Sequence, residues 1–503
     1  MAAFMEVLDT SIANVALPYM AGTLSASNDE STWILTSYLA SNAVVLPMTG
    51  WFAGTFGRKR FFMICLVVFT LSSLLCGIAP NLGAIILFRV LQGAGGGGLQ
   101  PMAQAILADT FPPQQRGVAF ALYGITAVVG PVIGPTLGGW ITDNYSWRWI
   151  FFINLPVGIL ALFLIRRLVE DPPWAKVAKM AGVKIDYIGV SLLTLGVASL
   201  QVMLDKGQED DWFGSHFILT LAVVAGVCLI ALVIWEWFYK DPIVDVRLFK
   251  NFNYLSANMM MFFLGVVLFS SIVMLPQFLQ NLMGYTAESA GLVLSGGGVM
   301  LLIGMPVVGM LSSKIQARYM IAFGWLALAL SMYYTTLHLD LQISFWSASV
   351  LRIVQALGLP FLFVPISLAV YVGMPAEKTN TIAGMVNFMR NIGSSFGTSM
   401  VTTVTARRAQ VHQAYMVAHT TPGHLTFTQA LHTMAARLTT AGLDATTATR
   451  QAYSRLYRSV INQASTLAYI DAFMILAVGA SIMFLLSFAL KKNQPGAGEV
   501  AVG

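Results

Sequence analysis

Leu87-Phe-Arg89-Val-Leu-Gln92-Gly-Ala-Gly-Gly-Gly-Gly98-Leu-Gln-Pro101 is answered later in the chain by Val350-Leu-Arg352-Ile-Val-Gln355-Ala-Leu-Gly-Leu-Pro-Phe-Leu-Phe-Val-Pro365. Arginine, glutamine and proline follow one another at nearly the same spacing, offset by 263. The same offset carries Gly130 and Gly134 onto Gly393 and Gly397, and an offset of 259 carries Pro47 and Gly50 onto Pro306 and Gly309. Glycine and proline recur by chance in apolar helices, but here three pairs of segments agree in order and nearly in spacing. Each segment lies in a long apolar run, so the chain reads as two related sets of membrane spans. Parallel repeats about an axis along the membrane normal are a transporter architecture, with cargo handled between the halves near the midplane.

Composition supports spans. The chain has 503 residues, 57% hydrophobic and 10% charged, with mean hydropathy +0.73, far from the roughly 25% charged fraction of soluble domains. A bilayer helix needs about 20 mostly apolar residues, and backbone groups in lipid must be satisfied internally. The alternating segments of a β-barrel are not visible. The net charge of +6 is spread over loops, which fits membrane orientation and not nucleic-acid binding. Cys65, Cys76 and Cys228 sit in apolar runs and read as packing residues without metal or disulfide spacing. No cleavable signal precedes the first run, which begins almost at Met1, so a short cytoplasmic lead upstream is expected.

The runs predict fourteen spans near 1–21, 33–56, 61–79, 83–108, 117–142, 148–167, 185–205, 216–238, 253–279, 288–313, 319–337, 344–373, 381–405 and 466–490. Alternate loops separate the cations. One set holds Arg58, Lys59, Arg60, Arg116, Arg166, Arg167, Lys176, Lys179, Lys184, Lys240, Arg247, Lys250, Lys314, Arg318 and Lys378, and the tail adds Lys491 and Lys492. The short loops of the other set hold only Arg148 and Lys206. The positive-inside rule then puts both termini in the cytoplasm. The expected division is a six-helix bundle over 1–167, an inserted pair with linkers over 168–252, a second six-helix bundle over 253–490 with a periplasmic loop at 406–465, and a cytoplasmic tail at 491–503.

Charges inside lipid cost about 2.5 to 3.5 kcal/mol even on the lenient scale, so each is a functional candidate. The acids well inside spans are Glu6 and Asp9, with Glu236 near a cytoplasmic end and Asp471 close to the start of the last span; the bases are Arg89, Arg352 and Arg390. Glu6 and Asp9 stand three apart on one helix face, where burial and a nearby cation tune proton affinity in opposite senses. A purely structural hydrogen bond from Asp9 to Asn14 or to a neighbouring helix is the alternative for Asp9, and reaching out to a membrane boundary that lies deeper is the alternative for Glu6. Arg89 keeps its proton at working pH, so it biases a carboxylate, binds an anion or serves as a fixed ion pair. Asn14, Gln92, Tyr123, Arg390 and Met274 are candidates to line a substrate cavity.

Gly130-Pro131-Val-Ile-Gly134-Pro135-Thr-Leu-Gly138-Gly139 sets small residues every four positions. That pattern brings helices close, and the prolines remove backbone donors, so it reads as a bendable, cavity-sealing contact or as tight static packing. Gly93 to Gly98 matches a dinucleotide fingerprint only formally, since it lies within a span. No Gly-x4-Gly-Lys-Ser/Thr segment exists, so ATP is not the expected energy source. Methionines around Met259 to Met310 suit adaptable apolar sites or serve as lipid-facing filler. The loop 406–465 is rich in Ala, Thr, Gln, His and Arg and helical in parts such as Leu425 to Leu438; it is a candidate docking surface for a partner, or a linker.

These segments resemble the major facilitator superfamily, and within it the fourteen-helix drug:proton antiporters of the EmrB type. Leu8-Asp9-Thr-Ser-Ile-Ala-Asn14-Val-Ala-Leu-Pro18 is similar to that group's first-helix motif. Gly50-Trp-Phe-Ala-Gly54-Thr-Phe-Gly57-Arg58-Lys59-Arg60 resembles the loop signature after the second helix, except that Gly54 replaces the usual acid. Arg89 to Gly93 resembles the fourth-helix motif, and Gly130 to Gly139 the antiporter motif of the fifth. Trp147-Arg-Trp-Ile-Phe-Phe-Ile-Asn-Leu-Pro156 adds subgroup likeness. The resemblance implies an all-α membrane fold of two six-helix bundles plus two inserted helices. It also implies antiport of protons against amphipathic drugs, uncouplers or fatty acids across the bacterial inner membrane, with a periplasmic membrane-fusion adaptor and an outer-membrane channel as partners. Proton coupling falls to Asp9, Glu6 and Arg89, gating to the Gly130–Gly139 motif, and the cytoplasmic loop role to Gly50, Gly57, Arg58 and Lys59. Cofactor and metal are expected to be absent. A symporter or permease of the same fold is the nearest alternative; a lipid-modifying membrane enzyme is the alternative from another class, and no metal or general-base constellation supports it.

Overall fold

The computed structural model describes residues 1–171, 186–421 and 423–490. Lys176, Lys179, Lys184 and the 491–503 tail with Lys491 and Lys492 lie outside the described residues. Among those described there is no strand, and the crossing-length helices come in the expected order. They are α1 (Ala2–Thr23), α2 (Trp33–Phe56), α3 (Arg58–Gly77), α4 (Leu82–Thr110), α5 (Pro113–Asn144), α6 (Trp149–Leu168) and α7 (Tyr187–Lys206). The series continues with α8 (His216–Phe238), α9 (Phe252–Met283), α10 (Ala287–Leu311), α11 (Ala317–His338), α12 (Phe345–Ala369), α13 (Thr379–Ala418) and α14 (Ala445–Ser487).

Eleven of these are both long and apolar enough to cross a bilayer. The other three, α1, α2 and α13, have the length and fall short in apolarity because they carry buried polar residues: Glu6 and Asp9, Thr36 and Asn42, and Asn387. The polar groups that lower their apolarity are buried between helices instead of facing lipid. The count of fourteen is consistent with this arrangement.

The packing is a repeat. In the first half α1 lies on α5, α4 is held by α2 and α3, and α3 meets α6; in the second, α9 lies on α13, α12 is held by α10 and α11, and α11 meets α14. The halves meet where α5 packs on α10 and where α2 packs on α13. The inserted α7 and α8 pair with each other, and α7 also touches α2 and α13.

The last two long helices depart from the expected boundaries. α13 has 40 residues and α14 has 43, about 60 and 65 Å at 1.5 Å per residue, against about 30 Å of hydrocarbon. Most of the expected loop is therefore helix projecting beyond the membrane, with Leu425–Thr440 as a separate helix between, and the helix that carries the last span starts at Ala445, ahead of the expected span start at 466. Between Thr398 and Ala418 nothing interrupts helix: there is no glycine or proline. Leu431, Leu438, Ala448 and Ala452 form a small apolar core there, and Asp471 pairs with Arg408 at 2.6 Å and His412 at 2.7 Å. Asp471 thus lies inside the continuous α14, partly exposed and tied to the part of α13 that runs past the expected span end.

Candidate functional site

Two buried polar networks lie on neighbouring turns of α1. In the first, Asp9 is 3% exposed and Arg89 is fully buried. Arg89 Nη1 donates to Asp9 Oδ2 at 2.6 Å and to Gln92 Oε1 at 2.8 Å, while Nε donates to the Ile34 carbonyl at 3.1 Å. Gln92 Nε2 and Asn154 Nδ2 donate to Asp9 Oδ1 at 2.9 and 2.6 Å. Asn154 also donates to Ser73 Oγ at 3.0 Å, and the Tyr38 ring lies 4.3 Å from the guanidinium carbon. Every helix of the first bundle except α5 contributes a group. The cost of burying a pair falls as its remaining polar atoms find partners: Asp9 accepts from three donors here, and Arg89 Nη2 alone among the guanidinium nitrogens is left without a hydrogen bond. Asn14 is exposed and takes no part, so Asp9 holds α4 and α6, not Asn14.

The second network faces the other half. Asn42 Nδ2 donates to Glu6 Oε1 at 3.0 Å, and Asn391 Nδ2 donates to Asn42 Oδ1 at 3.1 Å. Glu6 Oε2 is buried without a hydrogen bond, and the charge of Arg390, which donates to Gln100, lies near this carboxyl. Asn42 lies 14 residues from Phe56, about 21 Å by helical rise, so Glu6 is at mid-depth and far from a boundary to which it could reach.

Toward the Arg58 end the seam continues as a ladder. Arg390 donates to Gln100 and, at 2.9 Å, to Asn387 Oδ1; Tyr123 Oη donates to Asn387 Oδ1 at 3.2 Å; Asn387 donates to Gln104. At its foot Arg58 pairs with Asp109 and donates to Asn380 Oδ1 at 2.9 Å, and Thr379 donates to Asp109 at 3.2 Å. Among the described residues all six direct hydrogen bonds between the halves fall on residues 379–391 of α13. The far half of the same seam is bridged instead by α7, where Gln201 donates to Ser395 at 2.7 Å and Asp205 accepts from Thr36.

The glycines explain how backbones come this close. A Cβ at Gly50 would collide with Thr381, and one at Gly384 with Thr49 and the Leu46 carbonyl. Gly57 joins α2 to α3 at φ 85° and ψ 142°, a conformation that favours glycine. Gly54 has open space around it, and Asp109 of α4 is the acid that pairs with Arg58. Gly130, Gly134 and Gly138 press on Val7, Ser11 and Ile12 of α1, so the α5 stripe packs under the two networks, and α5 stays helical through Pro131 and Pro135. Gly139 has no neighbour within contact. The backbone N–H of Lys59 donates to Asp171 at 2.9 Å.

Met274 lies in the packed interior of the second half. Asn42, Asn391, Asn387, Gln100, Gln104, Asp109 and Asn154 were not singled out from sequence. Amides inside apolar runs were the available signal, and it is weak because a lone amide in a helix also bonds to its own backbone.

The sequence profile of the Major Facilitator Superfamily matches residues 1–398. The Multidrug export protein EmrB of Haemophilus influenzae is 39% identical over 422 residues, covering 84% of this chain and 82% of that protein. The Fatty acid resistance protein FarB of Neisseria gonorrhoeae is 37% identical over 451 residues, covering 88% and 86%. In fold, the structure matches the proton:xylose symporter XylE with TM-score 0.60 at 13% identity, over 99% of this chain and 96% of that one. The chain belongs to the Major Facilitator Superfamily.

Proposed function

We propose that this superfamily member is a multi-pass exporter of hydrophobic and amphipathic compounds, driven by proton entry across a bacterial inner membrane. The named activities of the multidrug-export and fatty-acid-resistance relatives support the cargo class. The observation that carries the mechanism is Glu6. It is a carboxyl at mid-depth, joined through Asn42 to Asn391 of the opposite half.

On this reading the Arg58 end faces the cytoplasm, as do both termini, and the ladder along α13 is the cytoplasmic gate in its closed position. Ionised Glu6 attracts Arg390 across the seam and helps keep that gate shut. Protonation from the outer side removes the attraction, and the gate opens inward. The proton then leaves to the cytoplasm, and cargo enters from the cytoplasm or inner leaflet. Proton entry supplies about 2.3 kcal/mol per 100 mV, enough to bias such an exchange. Asp9 and Arg89 tie α1 to the rest of its bundle so that the charge state of Glu6 is felt by the whole half. The Gly130–Gly139 stripe lets α1 and α5 move as one wall. The projecting helices, which carry Arg437, Arg450, Arg455 and Arg458, offer a periplasmic adaptor its docking surface, and through it an outer-membrane channel.

The test is dye efflux in proteoliposomes holding the full chain, with an imposed pH gradient and simultaneous proton flux. Glu6→Gln should retain binding of ethidium and lose gradient-driven movement. Wild-type efflux by that variant, or efflux indifferent to collapse of the gradient, would reject the reading.

A further inference from the structure

The second half contains a copy of the Asp9 network with its anion missing. Arg352 of α12 stands where Arg89 stands in α4, and Gln355 where Gln92 does, both at the 263 offset. Ser271 of α9 occupies the place of Asp9, and Thr335 of α11 that of Ser73, each at an offset of 262. The contacts repeat too. Arg352 Nη1 donates to Ser271 Oγ at 3.2 Å and to Gln355 Oε1 at 3.3 Å, and Gln355 Nε2 donates to Thr335 Oγ1 at 2.9 Å.

The chemistry does not repeat. Arg89 meets a carboxylate at 2.6 Å, whereas both acceptors of Arg352 are neutral and stand beyond 3.1 Å, at the long end of the N–H···O range. Ser271 spends its own proton on the Leu268 carbonyl at 2.9 Å. Arg352 is 3% exposed, and its Nε is buried with no hydrogen-bond partner, as Arg89 Nη2 is in the first half, so what separates the two sites is the carboxylate. None of the seven ion pairs among the described residues includes it. Gly297 of α10 backs directly onto the side chain: a Cβ there would stand 2.9 Å from Arg352 Cγ and 3.1 Å from Nε. A guanidinium keeps its charge at any working pH, and an unpaired charge at this depth is costly. The arrangement is a cation held in place by neutral groups, with donors left over for a fork-matching acceptor.

We infer that Arg352, with Gln355 and Ser271, forms an anion subsite in the second half, which takes a carboxylate or a free inorganic anion in the position that Asp9 fills in the first. This goes beyond the efflux reading, and because binding is measured instead of transport, the two can fail separately. The probes are radiolabelled laurate, a carboxylate with an apolar tail, and chloride exchanged for gluconate. Tetraphenylphosphonium is the cationic control, and all are applied to the purified full chain in nanodiscs.

Two substitutions remove the subsite in opposite ways. Arg352→Gln deletes the cation, and Ser271→Asp supplies an internal anion that mimics Asp9. Each should weaken laurate binding by about tenfold or more, the scale of a lost charge-assisted pair, with tetraphenylphosphonium unchanged. Ser271→Asp should also raise the unfolding temperature, because it satisfies a buried cation. If chloride raises the wild-type unfolding temperature and the variants lose that effect while keeping laurate, the ligand is a free inorganic anion. Variants that keep both responses overturn the inference, as does an equal loss of laurate and tetraphenylphosphonium. So does a Ser271→Asp protein that is less stable than wild type or fails to fold, and this holds even if Arg352→Gln cannot be purified.

Discussion

Asp9→Asn is the substitution that a proton-coupling argument reaches for first, and the structure gives it a second consequence. Asp9 accepts from Arg89, Gln92 and Asn154 at 2.6, 2.9 and 2.6 Å. An asparagine keeps one acceptor oxygen and turns an NH2 toward donors, while Arg89 remains fully buried with its charge unanswered. Breaking one side of a buried pair costs about 3 to 5 kcal/mol, so Asp9→Asn and Arg89→Gln should each destabilise by that amount. The double variant removes both charges, and its loss should fall short of the sum by about 2 kcal/mol, within the range of coupling seen for contacting residues. Denaturant unfolding of the purified protein in mixed micelles measures the cycle. A single Asp9→Asn variant within about 0.5 kcal/mol of wild type, the scale of an inert surface change, would refute the reasoning, since a buried charge would then have lost its partner without effect. The consequence for function is direct. Loss of efflux in Asp9→Asn alone does not identify the proton carrier, because the bundle that holds α1 is weakened as well; Glu6→Gln, which keeps an acceptor for Asn42, separates the roles.

Asp109→Asn should loosen the Arg58 end, because Arg58 loses its carboxylate and Thr379 an acceptor; faster alkylation of a cysteine placed at Thr381 would register the opening, and unchanged labelling would count against the ladder as a gate. Gly50→Ala should act in the same direction in that cysteine background, because the added methyl would stand 2.7 Å from the Cα and 2.8 Å from the Cβ of residue 381; labelling no faster than with Gly50 would count against the close contact as part of the gate. Gly57→Ala should cost about 1 to 3 kcal/mol, the usual price of a non-glycine residue in a sparse backbone region, read from the same unfolding assay. Asp444 caps α14 outside the membrane, and hydrogen bonds from Thr446 and Thr447 hold its carboxyl well below the usual range. A depressed folded value means the cap is fully present above about pH 4 and lost only as pH falls below it. Limited proteolysis near Gly442 should therefore be unchanged in wild type between pH 7 and 5, and increased throughout that range in Asp444→Ala.

The repeat was legible because Arg89, Gln92 and Pro101 return as Arg352, Gln355 and Pro365 in runs too apolar for anything except lipid. Span boundaries followed to within a few residues wherever apolarity changes at a helix end, and α2 and α8 match at both ends. At α13 and α14 the helices run on past the expected spans, because a polar helix projecting into water has no hydropathy edge; what holds it is the packing of Leu431 and Leu438 against Ala448 and Ala452. Glu6, Asp9, Arg89 and Gln92 stood out as charges or amides in lipid. Asn154 and Asp109 did not, since nothing local ties them to a partner 145 or 51 residues away.

Composition and periodicity alone determined that this chain lives in a membrane, that it is helical, and that it consists of two related halves, because the bilayer admits only backbones that satisfy themselves and because burying a charge there is too costly to occur without cause. Tertiary structure decided which neighbours each carboxylate meets. Glu6 and Asp9 are one helical turn apart and chemically alike in sequence, yet Asp9 turns into its own bundle and meets an arginine, while Glu6 turns to the seam and meets the other half. That division depends on which helices pack on each face of α1, and packing between distant segments has no signature in the order of residues along either one.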